Sequence, residues 1–189
     1  MDTLTFEDIK QMFRETDKKF QENEKRWQET LQQIKESDRK FQAIHDELGG
    51  IGKSNGQMAE DFFYDALEHS MKVGNIKYDY IDRNTKRKRN NLEGEYDIVL
   101  YNDYKVLIVE VKYNFKYKYL RDFYSERLKN FTKLFPQYKD YKIYGAIAAF
   151  SFEKEVIKEA EEYGFYVITQ HNDKMKVMNK KDFTPNEIK

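Results

Sequence analysis

At 189 residues the chain has room for one globular domain and an extension. Its 34 basic and 34 acidic residues cancel, so net charge points to neither nucleic acid nor membrane, and any basic surface must be local. The absence of cysteine excludes disulfides, thiolate zinc sites and cysteine nucleophiles. With no apolar run near the roughly 20 residues that span a bilayer and no signal-peptide pattern, the expectation is a soluble cytoplasmic protein without a membrane partner.

Residues 1–48 read as a coiled-coil oligomerisation helix. Phe6, Phe13, Phe20, Trp27, Ile34, Phe41 and Leu48 recur every seventh residue, and three residues after each of the first six come Ile9, Thr16, Asn23, Thr30, Ser37 and Ile44. Between Phe6 and Leu48 there is no Gly or Pro, and good helix formers dominate. Glu15–Lys19, Glu22–Arg26 and Glu36–Lys40 add i,i+4 pairs in the favoured order. A strict seven-residue period makes a seam that wants a helical partner. A helix of this span is roughly 65 Å long and overshoots a small domain, so the expected partner is another copy of the chain.

Gly49, Gly50, Gly52 and Gly56 are expected to break that helix, making 49–56 a Gly-rich linker. Gly52-Lys53-Ser54 has the end of a phosphate-binding loop, but Glu47 stands where the first glycine of that motif belongs and a helix precedes it in place of a strand.

Residues 57–189 read as an α/β domain, a mixed sheet flanked by helices. Met58, Ala59, Phe62, Phe63, Ala66, Leu67 and Met71 form one helical stripe. Strands are predicted at about 76–82, 96–101 and 104–112. A helix over about 118–135 follows, stopped by Pro136. After it come a strand at 143–150, a helix near 153–163 and strands at 165–170 and 174–178.

The chemistry sits in Glu-Tyr-Asp-Ile-Val-Leu-Tyr at 95–101 and Val-Leu-Ile-Val-Glu-Val-Lys at 106–112. Asn102-Asp103 suits a two-residue hairpin turn. That turn places Tyr101 opposite Tyr104, Asp97 opposite Ile108, and Glu95 opposite Glu110. Because side chains on one face recur every second residue, Glu95, Asp97, Glu110 and Lys112 emerge together. Facing carboxylates repel, and beside an apolar run they make sense around a divalent cation.

This pattern resembles the PD-(D/E)XK nuclease superfamily, in which an Asp on one strand is followed by Glu-x-Lys on the next. Asp97, Glu110 and Lys112 match those positions, Glu60 matches the acid that the preceding helix often adds, and Tyr96 replaces the superfamily's Pro. The chain is also similar to a group of prokaryotic proteins in which Glu-Thr-Asp-x-x-Phe heptads (here Glu15 to Phe20) lead through a Gly-rich joint into such a domain. Lys129-Asn130-Phe131, Leu134-Phe135-Pro136 and Tyr144 to Ala148 carry that similarity further. The resemblance implies a restriction-endonuclease-like fold and Mg²⁺-dependent hydrolysis of DNA, with Mn²⁺ as substitute. It implies Asp97, Glu110, Glu60 and the carbonyl of Val111 as metal ligands, with Lys112 stabilising the transition state; the hairpin parity adds Glu95 as a candidate accessory acid.

Arg83, Lys86, Arg87, Lys88 and Arg89 form the densest basic run, and Lys116, Lys118 and Arg121 follow the site among Tyr113, Tyr117 and Tyr119. Both suit contacts to DNA phosphates and bases. His45, His69 and His171 have no ligand spacing. Two rivals stand beside the nuclease: a noncatalytic nucleic-acid-binding module on the same sheet, and a coiled-coil scaffold.

Overall fold

A computed structural model describes residues 6–188, except for the side chains of residues 8, 9, 43, 45 and 46. The seam position Ile9 and the histidine at 45 therefore lie outside the described residues. The chain divides into two compact units, Met1–Gly52 and Lys53–Lys189.

In the first unit every described residue is helical, within α1 (Phe6–Ser70). Phe6, Phe13, Phe20, Trp27, Ile34, Phe41 and Leu48 are between 51% and 79% exposed. The four glycines do not end the helix as expected; residues 49–56 are helical as well. Glycine costs a helix about 1 kcal/mol relative to alanine, and the strong helix formers before and after the stretch override that cost. The division between the units still falls inside it.

The second unit is α/β, a six-stranded mixed sheet with helices on both faces, as the periodicity predicts. A short β1 (Lys72–Val73) and β2 (Ile76–Lys77) form a separate ribbon. The main sheet runs in sequence order through β3 (Tyr80–Arg89), β4 (Leu92–Tyr101), β5 (Lys105–Phe115), β6 (Lys142–Phe152), β7 (Tyr166–His171) and β8 (Lys174–Val177). β5, β6 and β7 are parallel, and the remaining pairings are antiparallel. Val106 to Val111 is an unbroken buried run because β5 is covered on both faces.

One face packs Ile98, Leu100, Leu107 and Val109 against Ala59, Phe63 and Leu67 from the end of α1. The other packs Tyr96, Ile108 and Ile147 against a helical stretch and α4 (Val156–Glu162). That stretch is α2 (Tyr117–Asp122), a π-helical turn at Phe123–Arg127, and α3 (Leu128–Leu134), where one continuous helix is predicted. The close fit on this face makes a stability prediction. A Cβ on Gly145 would stand 2.7 Å from the Phe165 ring and 3.2 Å from Leu128. Gly145→Ala should therefore lower the urea midpoint by an amount equivalent to about 1–3 kcal/mol of overpacking, and an unchanged midpoint would show that the ring yields freely.

Two differences from the predicted strands bear on the site. β3 continues through the basic run to Arg89 and turns at Asn90 and Asn91 into β4, which begins at Leu92. Asn90 takes the positive φ of 55° that such a turn needs. The β4–β5 connection is also longer than two residues. Tyr101 pairs with Val106, and the Asn102 side chain accepts hydrogen bonds from the Tyr104 and Lys105 amides.

Candidate active site where two strands part

The longer turn moves the hairpin by two residues. Val99, not Asp97, lies opposite Ile108, and continuing the register brings Asp97, not Glu95, opposite Glu110. A shift of two leaves the parity unchanged, so Asp97, Glu110 and Lys112 still meet.

The β4–β5 ladder ends at Ile98–Val109. Past that pair β4 stays with β3, while β5 stays with β6, and the strands part around Asp97 and Glu110. On β3 the ladder skips Asn84, whose φ is +49°, a left-handed conformation that Asn tolerates. The Asp97 carboxylate fills the place of the lost ladder partner: its Oδ2 accepts the Val111 amide at 2.8 Å.

Asp97 and Glu110 are the two buried charged residues among those described, at 7% and 3% exposure. Their oxygens are held by two cations. The Lys112 ammonium lies 3.1 Å from Asp97 Oδ2, 2.7 Å from Glu110 Oε1 and 2.7 Å from the Val111 carbonyl oxygen. The Arg127 guanidinium lies 2.7 Å from Glu110 Oε2 and 3.9 Å from Asp97 Oδ1. Burial and then the Asp97 charge push the Glu110 carboxyl up, while Lys112 and Arg127 pull it down. Burial acts to lower the Lys112 ammonium, but Glu110 and Asp97 outweigh it and hold it above its ordinary value. Buried charges persist only when paired this closely.

Arg127 is the residue that the sequence motif misses. A signal was present: it falls on the apolar stripe of the predicted helix, between Phe123 and Phe131, where a cation must find a buried partner. Tyr96 is tied to the same turn, since its hydroxyl donates to the Arg127 carbonyl at 3.0 Å. Arg127 also donates to the Glu95 carbonyl at 3.3 Å.

Glu60, on α1, feels the site without belonging to an acid cluster. Burial, then the Asp97 charge, raises its carboxyl, while Lys112 and Arg83 oppose that rise. Among the described residues, no group of three or more His, Asp or Glu is arranged to hold a metal ion. Glu95 sits apart from Glu110 and pairs with Lys86 at 3.0 Å.

Each member of the basic run has a partner. Lys86 and Lys88 stand opposite Glu95 and Glu93 in the ladder and pair with them at 3.0 and 3.9 Å. Arg83 pairs with Asp61 and lies over the Tyr64 ring. Arg87 lies 4.8 Å over Phe135, and Arg89 donates to the Lys133 carbonyl. β3 is an edge strand, and charge on an edge blocks pairing with other chains. Lys116, Lys118 and Arg121 differ: all are exposed, Lys116 at the N-cap of α2, Lys118 in its first turn and Arg121 in its last, and among the described residues none forms an ion pair. Tyr113 and Tyr117 beside them are each 40% exposed, and the Lys112 ammonium is 6.0 Å from the Tyr119 ring.

No protein-family model matches the chain, and no curated protein matches it. Among solved structures, it is similar to the crystal structure of a repair endonuclease from Pyrococcus abyssi, at 14% identity and a TM-score of 0.41. That similarity covers 59% of this chain and 46% of the endonuclease chain, less than half of the latter's length.

Proposed function

We propose that this protein is a Mg²⁺-dependent nuclease that hydrolyses DNA phosphodiester bonds in the cytoplasm. One observation carries the reading: three oxygens, from Asp97, Glu110 and the Val111 carbonyl, converge on a single cationic point taken by the Lys112 ammonium. Two carboxylates and a carbonyl are hard oxygen donors of the kind Mg²⁺ selects, and the ammonium stands in for a cation among them. Asp97, Glu110 and Val111 would hold the ion, with Glu60 as a more peripheral acid. Bound there, Mg²⁺ (or Mn²⁺) supplies an acidified water and neutralises charge on the phosphoryl oxygens.

The chain's own groups do the rest. Lys112 has a flexible four-carbon stem and three donors, so its ammonium can turn from the carboxylates to a phosphoryl oxygen and stabilise charge developing there. Arg127 keeps hold of the outer Glu110 oxygen and fixes the carboxylate's orientation. Tyr96, through its bond to the Arg127 carbonyl, braces the turn that carries Arg127.

A noncatalytic nucleic-acid-binding module is the second reading, and the neutralising grip of Lys112 and Arg127 on the two acids favours it. Calorimetric titration with Mn²⁺, paired with nicking of plasmid and single-stranded DNA, separates the two. Metal uptake with nicking supports the nuclease; metal and DNA binding without nicking supports the module; no metal uptake removes the site.

DNA contacts are assigned first to Lys116, Lys118 and Arg121, which no acid among the described residues neutralises. Replacing all three with Ala should weaken binding across sequences and flatten the salt dependence by about one unit for each phosphate left without its cation. Lys86→Ala and Lys88→Ala, which remove cations already paired on the edge strand, should change that slope far less. The reverse ranking would move the interface to the β3–β4 hairpin.

The N-terminal helix is read as a self-association element, because a seven-residue repeat of exposed Phe, Trp, Ile and Leu wants a helical partner.

A further inference from the structure

We propose that α1 pairs with the same helix of a second copy in parallel and in register, so that two Asp97–Glu110 sites follow from the same end of one coiled coil. The proposal rests on the self-association reading and adds its direction. Two independent features of the helix carry it.

The first is the order of seam layers. Phe13, Phe20, Trp27, Ile34 and Phe41 alternate with Thr16, Asn23, Thr30 and Ser37, and the described seam side chains are exposed along the helix. In a parallel, in-register pair each residue meets its own copy, so aromatic layers stack on aromatic layers and polar on polar. Asn23 then meets the partner's Asn23, and each amide supplies both a donor and an acceptor. Thr16 and Thr30 already donate their hydroxyls to the carbonyls of Met12 and Arg26 at 2.8 Å, leaving their methyls for the seam. An antiparallel pair of full overlap instead sets Asn23 against the partner's Ile34 and Ser37 against the partner's Phe20. That buries an amide against hydrocarbon without a hydrogen bond.

The second feature is charge. Asp17, Glu24 and Asp38 lie along one flank of the seam, and Lys19, Arg26 and Lys40 along the other. Lys10 and Glu47 depart from this only at the two ends. Parallel pairing sets the basic flank of one helix beside the acidic flank of the next, with Lys19 reaching the partner's Glu24. Antiparallel pairing sets acid beside acid, Asp17 near the partner's Asp38, and base beside base, Lys19 near the partner's Lys40. Flanking charges of this kind set partner choice and orientation in coiled coils, and like charges placed together are destabilising.

The chain has no cysteine, so one introduced thiol reports the direction. Full-length Asn23→Cys and, separately, Ser37→Cys should each be captured as a covalent dimer on mild oxidation with diamide. Arg39→Cys, on the outer face of the helix, should stay uncoupled. Light scattering on the wild type should give the mass of at least two chains. A monomer mass would overturn self-association, and the inference with it. A multimer in which neither Asn23→Cys nor Ser37→Cys couples would overturn the parallel direction alone. So would a mixture of Asn23→Cys and Ile34→Cys chains that couples only with each other. Because removing Asn23 also removes a polar layer, the Lys19→Glu variant and the Lys19→Glu, Glu24→Lys double variant provide a second measure. The helix melting midpoint should fall in the first and recover in the second. A midpoint unchanged in both would also overturn the proposal.

Discussion

Asp97→Ala and Glu110→Ala should each abolish Mn²⁺ uptake and reduce DNA nicking on the order of 10⁴-fold or to background. Each replacement deletes one of the three oxygens that converge on the Lys112 ammonium. One carboxylate and one carbonyl offer too few hard donors, and too little negative charge, to strip a divalent ion of its waters. Glu110→Ala carries a folding cost as well, because Lys112 and Arg127 both lose their closest acid. Breaking a buried pair from one side costs about 3–5 kcal/mol. Glu110→Gln and Asp97→Asn keep the shape and most of the hydrogen bonding while removing the charge, so they isolate metal affinity from stability. Circular dichroism on all four variants checks that the fold survives. A well-folded Asp97→Asn protein that nicks DNA at the wild-type rate would end the nuclease reading.

Lys112→Ala should do something different, and the difference is diagnostic. Nicking should fall roughly 10²- to 10³-fold, the usual loss when one electrostatic stabiliser of a transition state is removed. Metal affinity should move the opposite way. The ammonium competes for the same three oxygens as the ion, so its removal leaves the site more negative and open, and Mn²⁺ should bind more tightly. A variant that loses metal and cleavage together would make Lys112 structural, and a variant with an unchanged rate would leave it without a catalytic part. Arg127→Lys is the natural companion, since it keeps the charge beside Glu110 but loses the guanidinium's fixed geometry.

The meeting of Asp97, Glu110 and Lys112 was legible in the sequence because it depends only on parity. The predicted turn was two residues too short, yet a slip of two leaves every side chain on its face. The pairing partners were not legible, since the Asn102 side chain closes the turn with hydrogen bonds that composition does not specify. β3 is not legible beyond residue 82 because Asn and Lys are weak strand formers and the run lacks apolar alternation. Its stability comes from pairing with β4, including Lys86 with Glu95 and Lys88 with Glu93. The glycines at 49–56 mark the division between units, but their helical state depends on residues outside that window. Arg127 was hidden by the reading of its helix as a uniform apolar stripe, although its position in that stripe was the clue.

The π turn at Phe123–Arg127 gives the chain a built-in phase adjustment. One residue more than an α-helical turn needs has been accommodated without ending the helix, so Phe123 and Leu128 are both buried and Arg127, between them, reaches Glu110. Such turns are uncommon and frequently lie at functional sites. Excising Ser125, an exposed residue whose hydroxyl only caps the Arg121 carbonyl, would let the segment relax to ordinary helix. Phe123 and Leu128 would then stand four α-helical residues apart, a rotation of about 400°, so both keep their face and α3 keeps its phase relative to α2. The wider turn is what lets the chain carry one more residue here while the guanidinium still reaches its carboxylate. A chain one residue shorter at this point would keep the same two helix faces with an ordinary α-helical turn.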